Sequence, residues 1–141
     1  MLTQKVVKQF PAEFEFLYEM LGLIRTFALK SGVSRKEASK IELACEEALV
    51  NIISYGYPSS ERGTIWISCL SDNSPSIRLV ISDDGIPYDP ISAGLFFNVE
   101  QHRKREVEGG YGIYLILRIM DDVHYERREG KNVLTLMKRF A

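Results

Sequence analysis

No apolar run in this sequence approaches the roughly 20 residues that a bilayer-spanning helix needs, so no membrane anchor is expected. The opening Met1-Leu2-Thr3-Gln4-Lys5 lacks the apolar core of a secretory leader, and no leader is expected either. Cysteine is scarce. Cys45 and Cys69 are the only two, and each sits inside an apolar pattern. That is the pattern of buried free thiols in a reducing cytoplasm rather than of a disulfide framework. Charge of either sign is nearly balanced, at a formal net of -1. This argues against direct nucleic-acid binding or anionic-membrane binding as the main activity. Internal repeats and low-complexity stretches are missing. What is present is 45% hydrophobic and 26% charged residues in a chain of 141. That length and balance suit one soluble domain, 1–141, with one core.

Val6, Val7 and Phe10 predict a short first strand. After Pro11, the residues Phe14, Leu17, Leu21, Ile24 and Ala28 recur at helical spacing until Gly32 ends the run. Ser34 followed by Glu37 predicts a capping box for a second helix, with Ile41, Ala44, Cys45, Ala48 and Ile52 along one face and an end near Tyr55-Gly56. Strands are expected over 64–70 and 77–82, joined by the turn-forming Ser71-Asp72-Asn73-Ser74-Pro75. Residues 88–108 read as a long irregular segment, a length that is usually functional. A short helix over 113–120 and a closing hairpin across Glu129-Gly130 complete the chain. The order β-α-α-β-β-loop-α-β-β predicts an α+β fold: a two-layer α/β sandwich with helices on one face of a mostly antiparallel sheet.

Three polar elements interrupt these patterns. Glu47 and Asn51 project side by side from one helix, at the edge of its apolar face. An acid and an amide there are costly unless something satisfies them. A hydrated Mg²⁺ with phosphates would do so, because magnesium prefers oxygen ligands. The carboxylate could also accept a proton from a hydroxyl. A solvated helix edge is the plainer reading. The second element, Asp83-Asp84-Gly85-Ile86-Pro87, ends a strand. Its carboxylate could accept from an exocyclic amine such as that of adenine, and Gly85 would let backbone approach a flat ring. It is also an ordinary Asp-Gly turn. The third, Gly109-Gly110-Tyr111-Gly112, opens a helix whose free amides and dipole favour an anion. It is no Walker loop, since no Gly-Lys-Ser/Thr follows, and no Rossmann fingerprint.

Taken together, the order of these elements is more specific than any one of them. Glu46-Glu47-Ala48-Leu49-Val50-Asn51 with Tyr55-Gly56-Tyr57 comes first. Asp83-Asp84-Gly85-Ile86-Pro87-Tyr88-Asp89-Pro90 and Gly109-Gly110-Tyr111-Gly112-Ile113-Tyr114-Leu115 follow. Met120-Asp121-Asp122-Val123 and Gly130-Lys131-Asn132-Val133-Leu134-Thr135-Leu136 close the chain. This resembles the Bergerat-fold ATPase superfamily of gyrase, chaperone, MutL and histidine-kinase ATPases. Within it, the likeness is to the single-domain branch, the anti-sigma-factor serine/threonine kinases of the RsbW and SpoIIAB type. It runs from about residue 10 to the C-terminus.

The resemblance implies ATP and Mg²⁺ as cofactors. Asn51 would coordinate the metal and Glu47 would be the general base. Asp83 would bind the adenine amine with Gly85 beneath the ring, and Gly110 and Gly112 would permit the turn beside the phosphates. Residues 88–108 would be the ATP lid. Phosphoryl transfer needs charge neutralisation, so a basic lid residue is expected. Of His102, Arg103, Lys104 and Arg105, the assignment falls on Arg105. The chain departs from some relatives in carrying Glu106 and Glu108, where those relatives have an arginine before the glycine turn.

The implied function is a cytoplasmic anti-sigma factor that phosphorylates a serine of a STAS-domain antagonist in a partner-switching system. Its partners would be a sigma factor and that antagonist. The alternatives are a nucleotide-gated binding module without kinase activity, and a kinase of a related module that acts on a scaffold. A homodimer is expected by analogy. The first strand and the stretch from Phe14 to Ile24 are either its apolar surface or the ordinary core face.

Overall fold

The computed structural model describes residues 2–59, 61–95 and 110–140. Strand β1 (Leu2–Pro11) leads through a 3-10 turn at Phe14–Phe16 into helix α1 (Leu17–Lys30). Helix α1 stops in a Schellman motif. Gly32 takes φ +104, its amide donates to Leu29, and the Val33 amide donates to Ala28. Helix α2 (Arg35–Tyr55) starts where expected, with Ser34 Oγ accepting from the Glu37 amide at 3.2 Å. Only that half of the capping box is found among the described residues. The Glu37 carboxylate instead sits against Lys40 (3.5 Å) and Lys138 (3.9 Å).

Strands β2 (Thr64–Asp72) and β3 (Ser76–Asp83) form a hairpin. Helix α3 (Pro90–Leu95) and helix α4 (Gly110–Ile119) follow, and then strands β4 (Asp122–Arg128) and β5 (Lys131–Arg139). The β4–β5 turn places Glu129 (φ 52) and Gly130 (φ 77) both at positive φ, which matches the right-handed twist of the strands it joins. The sheet is five-stranded, ordered β1-β2-β3-β5-β4, and antiparallel at every pairing.

Strand alternation decides which residues meet the helices. On β2, Ile65, Ile67 and Cys69 are buried; on β3, Ile77, Leu79 and Ile81; on β5, Leu134 and Leu136. They form one core with Met20, Leu21 and Ile24 of α1, Ile41, Cys45 and Leu49 of α2, and Ile113 and Ile116 of α4. This is the expected two-layer arrangement, with the helices gathered on one face of the sheet.

One expectation changes. Segment 88–108 is not irregular throughout, because its start is helix α3. Asp89 caps that helix, accepting from the Ile91 amide at 3.0 Å, and Pro90 fills its first position. Of the two segments read as either core or dimer surface, α1 gives Leu17, Leu21 and Ile24 to the core, whereas on β1 Phe10 is buried and Val6 and Val7 are exposed, as are Phe14 and Tyr18. Among the described residues, no helix is long and apolar enough to cross a membrane.

Candidate nucleotide site

The buried stripe of β3 runs Ile77, Leu79, Ile81 and ends on Asp83, which is only 3% exposed. Directly across on β5 the corresponding stripe begins with Asn132, also buried, and Asp83 and Asn132 are register partners. Two polar side chains therefore close the apolar face of the sheet at one end. There a cavity of about 290 Å³ opens between sheet and helices. Its apolar walls include Ala48 and Ile52 of α2, Ile81, Ile116 and Leu134; its polar groups include Asn51, Asp83 and Asn132. Mostly apolar lining with a few convergent polar groups is the usual character of a small-molecule site.

The adjacent acids Asp83 and Asp84 face opposite ways. Asp84 Oδ1 accepts from Tyr57 Oη at 2.7 Å and from the Thr64 amide at 3.0 Å, clamping the loop between α2 and β2. Burial opposes ionisation of Asp84, but those hydrogen bonds outweigh it and hold its pKa below the ordinary value. Asp83 Oδ1 accepts from the Gly85 amide (2.9 Å) and from Asn132 Nδ2 (3.0 Å). Among the described residues, its Oδ2 has no hydrogen-bond partner. Burial raises the Asp83 pKa, and the hydrogen bonds from Asn132 and Gly85 only partly offset it. A carboxylate kept short of donors on its cavity side is poised to accept from a ligand amine.

The glycines tie the elements together. A Cβ added to Gly112, in the first turn of α4, would lie 2.8 Å from Glu47 Oε2 and 3.6 Å from Asn51 Nδ2. The start of α4 is thus packed onto the acid–amide pair of α2, and a glycine there leaves the Glu47 carboxylate undisplaced. Gly110 is the first residue of α4, at the end where unpaired amides gather. Gly85 is close-packed for a reason the sequence did not suggest. A Cβ there would lie 2.6 Å from the Gly56 carbonyl oxygen, which accepts the Ile86 amide at 2.9 Å. The Gly85 carbonyl in turn accepts from Arg127 Nη1 at 2.9 Å.

Asn51 and Asp83 therefore line the same cavity, while Glu47 lies one turn along α2 beneath Gly112. Arg105, with His102, Arg103, Lys104, Glu106 and Glu108, lies outside the described residues, as does most of the expected lid. Asn132 was not singled out in the sequence, although it carries the densest hydrogen bonding in the site.

The donor set suits magnesium. Among the described residues, no group of three or more His, Cys, Asp or Glu could cage a metal. An amide oxygen beside a carboxylate is compatible with a mostly hydrated Mg²⁺ held chiefly by phosphates.

A five-stranded antiparallel sheet covered on one face, with its cavity at the ends of β3 and β5 under α2 and α4, is the architecture of the histidine-kinase-like ATPase fold. Residues 10–138 match the family described as "Histidine kinase-like ATPase domain", and the chain belongs to it. Within that family it is a Bergerat-fold kinase of the RsbW type. It is 31% identical over 123 residues to "Serine/threonine-protein kinase BtrW" of Bordetella bronchiseptica, covering 87% of this chain and 85% of that protein. It is 27% identical over 134 residues to "Serine-protein kinase RsbW" of Oceanobacillus iheyensis, covering 92% and 82%. Among solved structures, the histidine kinase domain of the blue-light activated histidine kinase EL346 of Erythrobacter litoralis superposes with a TM-score of 0.55. Its identity is 17% over 86% of this chain, and this chain spans 60% of that one, a likeness of fold.

Proposed function

We propose that this chain is an ATP-dependent protein serine/threonine kinase and anti-sigma factor, acting as a single domain in a cytoplasmic partner-switching system. Its substrate is a serine hydroxyl on a STAS-domain antagonist, and its alternative partner is a sigma factor. The observation that carries the reading is the shared cavity. Asn51 and Asp83 line it together, and Gly112 brings the start of α4 against Glu47.

In this reading, Ile81, Leu134 and Ile86 exclude water from the purine, and Asp83 Oδ2 accepts from its 6-amino group. The triphosphate runs toward the amides at Gly110 and Gly112. The Asn51 side-chain oxygen would hold Mg²⁺, which would supply charge neutralisation at the phosphates. The substrate serine oxygen attacks the γ-phosphorus, the bond to the β–γ bridging oxygen breaks, and ADP leaves. Glu47 takes the serine proton. Positioning and charge neutralisation supply most of such a barrier reduction. Arg105 is assigned to the γ-phosphate, and the homodimer is retained by analogy.

The test is γ-labelled ATP with a STAS-domain antagonist and Mg²⁺. Label on a serine of the antagonist is expected, and Glu47→Ala lowers its rate about 10²-fold or more while nucleotide still binds. Nucleotide and partner binding with no label on the partner would leave a nucleotide-gated binding module instead. Label on another protein would point to a scaffold-directed kinase.

A further inference from the structure

Asn132 uses its whole hydrogen-bonding capacity at once. Nδ2 donates to Asp83 Oδ1 (3.0 Å) and to the Ile86 carbonyl (2.8 Å). Oδ1 accepts from the Tyr88 amide (3.1 Å) and from Tyr125 Oη (2.6 Å). Two of these partners are backbone groups with no choice of role. The Tyr88 amide can only donate and the Ile86 carbonyl can only accept. They fix which end of the Asn132 amide faces Asp83, so a donor is always presented to Asp83 Oδ1. With the Gly85 amide also donating to that oxygen at 2.9 Å, Oδ1 is occupied twice and Oδ2 is the oxygen left to the cavity.

We infer that Asn132 is a positioning residue that sets the purine specificity of the site through Asp83. It holds the carboxylate with an accepting oxygen toward the cavity, which suits a 6-amino purine and opposes a 6-oxo purine. The same side chain ties Asp83 to Ile86 and Tyr88, the residues that lead into α3. Purine selection and the placement of that segment are thereby set by one amide. This rests on the nucleotide reading of the cavity and adds to it a residue that need not touch the ligand.

The experiment measures dissociation constants for Mg-ATP and Mg-GTP by calorimetry on the parent, Asn132→Ala and Tyr125→Phe. The parent is expected to prefer ATP. Asn132→Ala should shrink the ATP-over-GTP ratio about tenfold or more, because a freed carboxylate can turn away from the 6-amino group and lose the hydrogen bond that ATP alone makes. Tyr125→Phe removes one anchor of the amide and should shrink the ratio about threefold. A purely structural role would weaken both nucleotides by the same factor and leave the ratio unchanged. An unchanged ratio in Asn132→Ala overturns the inference, as does a parent without preference. If Asn132→Ala does not fold, an unchanged ratio in Tyr125→Phe overturns it. A parent that binds neither nucleotide overturns the nucleotide reading itself, an outcome distinct from failure of this inference alone.

Discussion

Replacing Gly112 by alanine should separate stability from catalysis. The new Cβ would sit 2.8 Å from Glu47 Oε2, 3.4 Å from Glu47 Cβ and 3.6 Å from Asn51 Nδ2. The last two are tolerable contacts; the first is not. Because that oxygen is the far end of a flexible side chain, the carboxylate gives way and the helices stay in place. Forcing a side chain off its rotamer costs about 0.5–1.5 kcal/mol. Alanine in a helix is favoured over glycine by about 0.8–1 kcal/mol. The two nearly cancel, so denaturant unfolding should find Gly112→Ala within about 1 kcal/mol of the parent. Displacing a catalytic group by about 1 Å costs about 10²-fold in rate, close to 2.7 kcal/mol of barrier. Labelled-phosphate transfer should fall by that factor, with Mg-ATP affinity changed far less because the purine end is untouched. Transfer at the parent rate would refute the reasoning. So would a stability loss of several kcal/mol, which would mean that backbone had yielded instead of the carboxylate.

Gly85→Ala should behave in the opposite way. Its Cβ would meet the Gly56 carbonyl oxygen at 2.6 Å, a backbone atom that cannot swing aside, so a loss of about 1–3 kcal/mol is expected in denaturant melts. Asn51→Ala should abolish the metal dependence of nucleotide binding, seen as equal ATP affinity with and without Mg²⁺. Asp83 has a raised pKa in the fold, so the folded state favours its protonated form. The stability from that preference is full in acid and is lost as pH rises through the raised value. Asp83→Asn should therefore be at least as stable as the parent at neutral pH without nucleotide, with the difference vanishing in acid. ATP affinity of the parent needs the ionised group. It should decline on acidification from a higher pH than an ordinary aspartate would give, and titrations across acid pH check this.

Much of the fold was legible because its signals are local. The Ser34 cap, the Gly32 stop and the Glu129-Gly130 hairpin are each written in a few adjacent residues, and all are found. The buried parity of β3 also carries Asp83 inward. Asn132 was missed although its signal was present. In Asn132-Val133-Leu134-Thr135-Leu136 the amide occupies the same parity as two core leucines, and a polar residue on a buried stripe needs partners. Helix α3 was likewise written in Asp89-Pro90, a cap followed by the residue favoured at a first helical position. What no local pattern could reveal is which distant atom a glycine makes room for. Gly112 faces Glu47 across two helices, and Gly85 faces Gly56 across two loops. Those approaches are set by how the layers pack, not by the neighbouring residues.

The most direct measurement is a crystal structure of the chain with Mg²⁺ and a non-hydrolysable ATP analogue. The 6-amino group is expected about 3 Å from Asp83 Oδ2, the metal on the Asn51 side-chain oxygen, and the phosphates at the start of α4. A nucleotide bound elsewhere, or one whose purine lies away from Asp83 while its phosphates avoid Asn51, would contradict this arrangement.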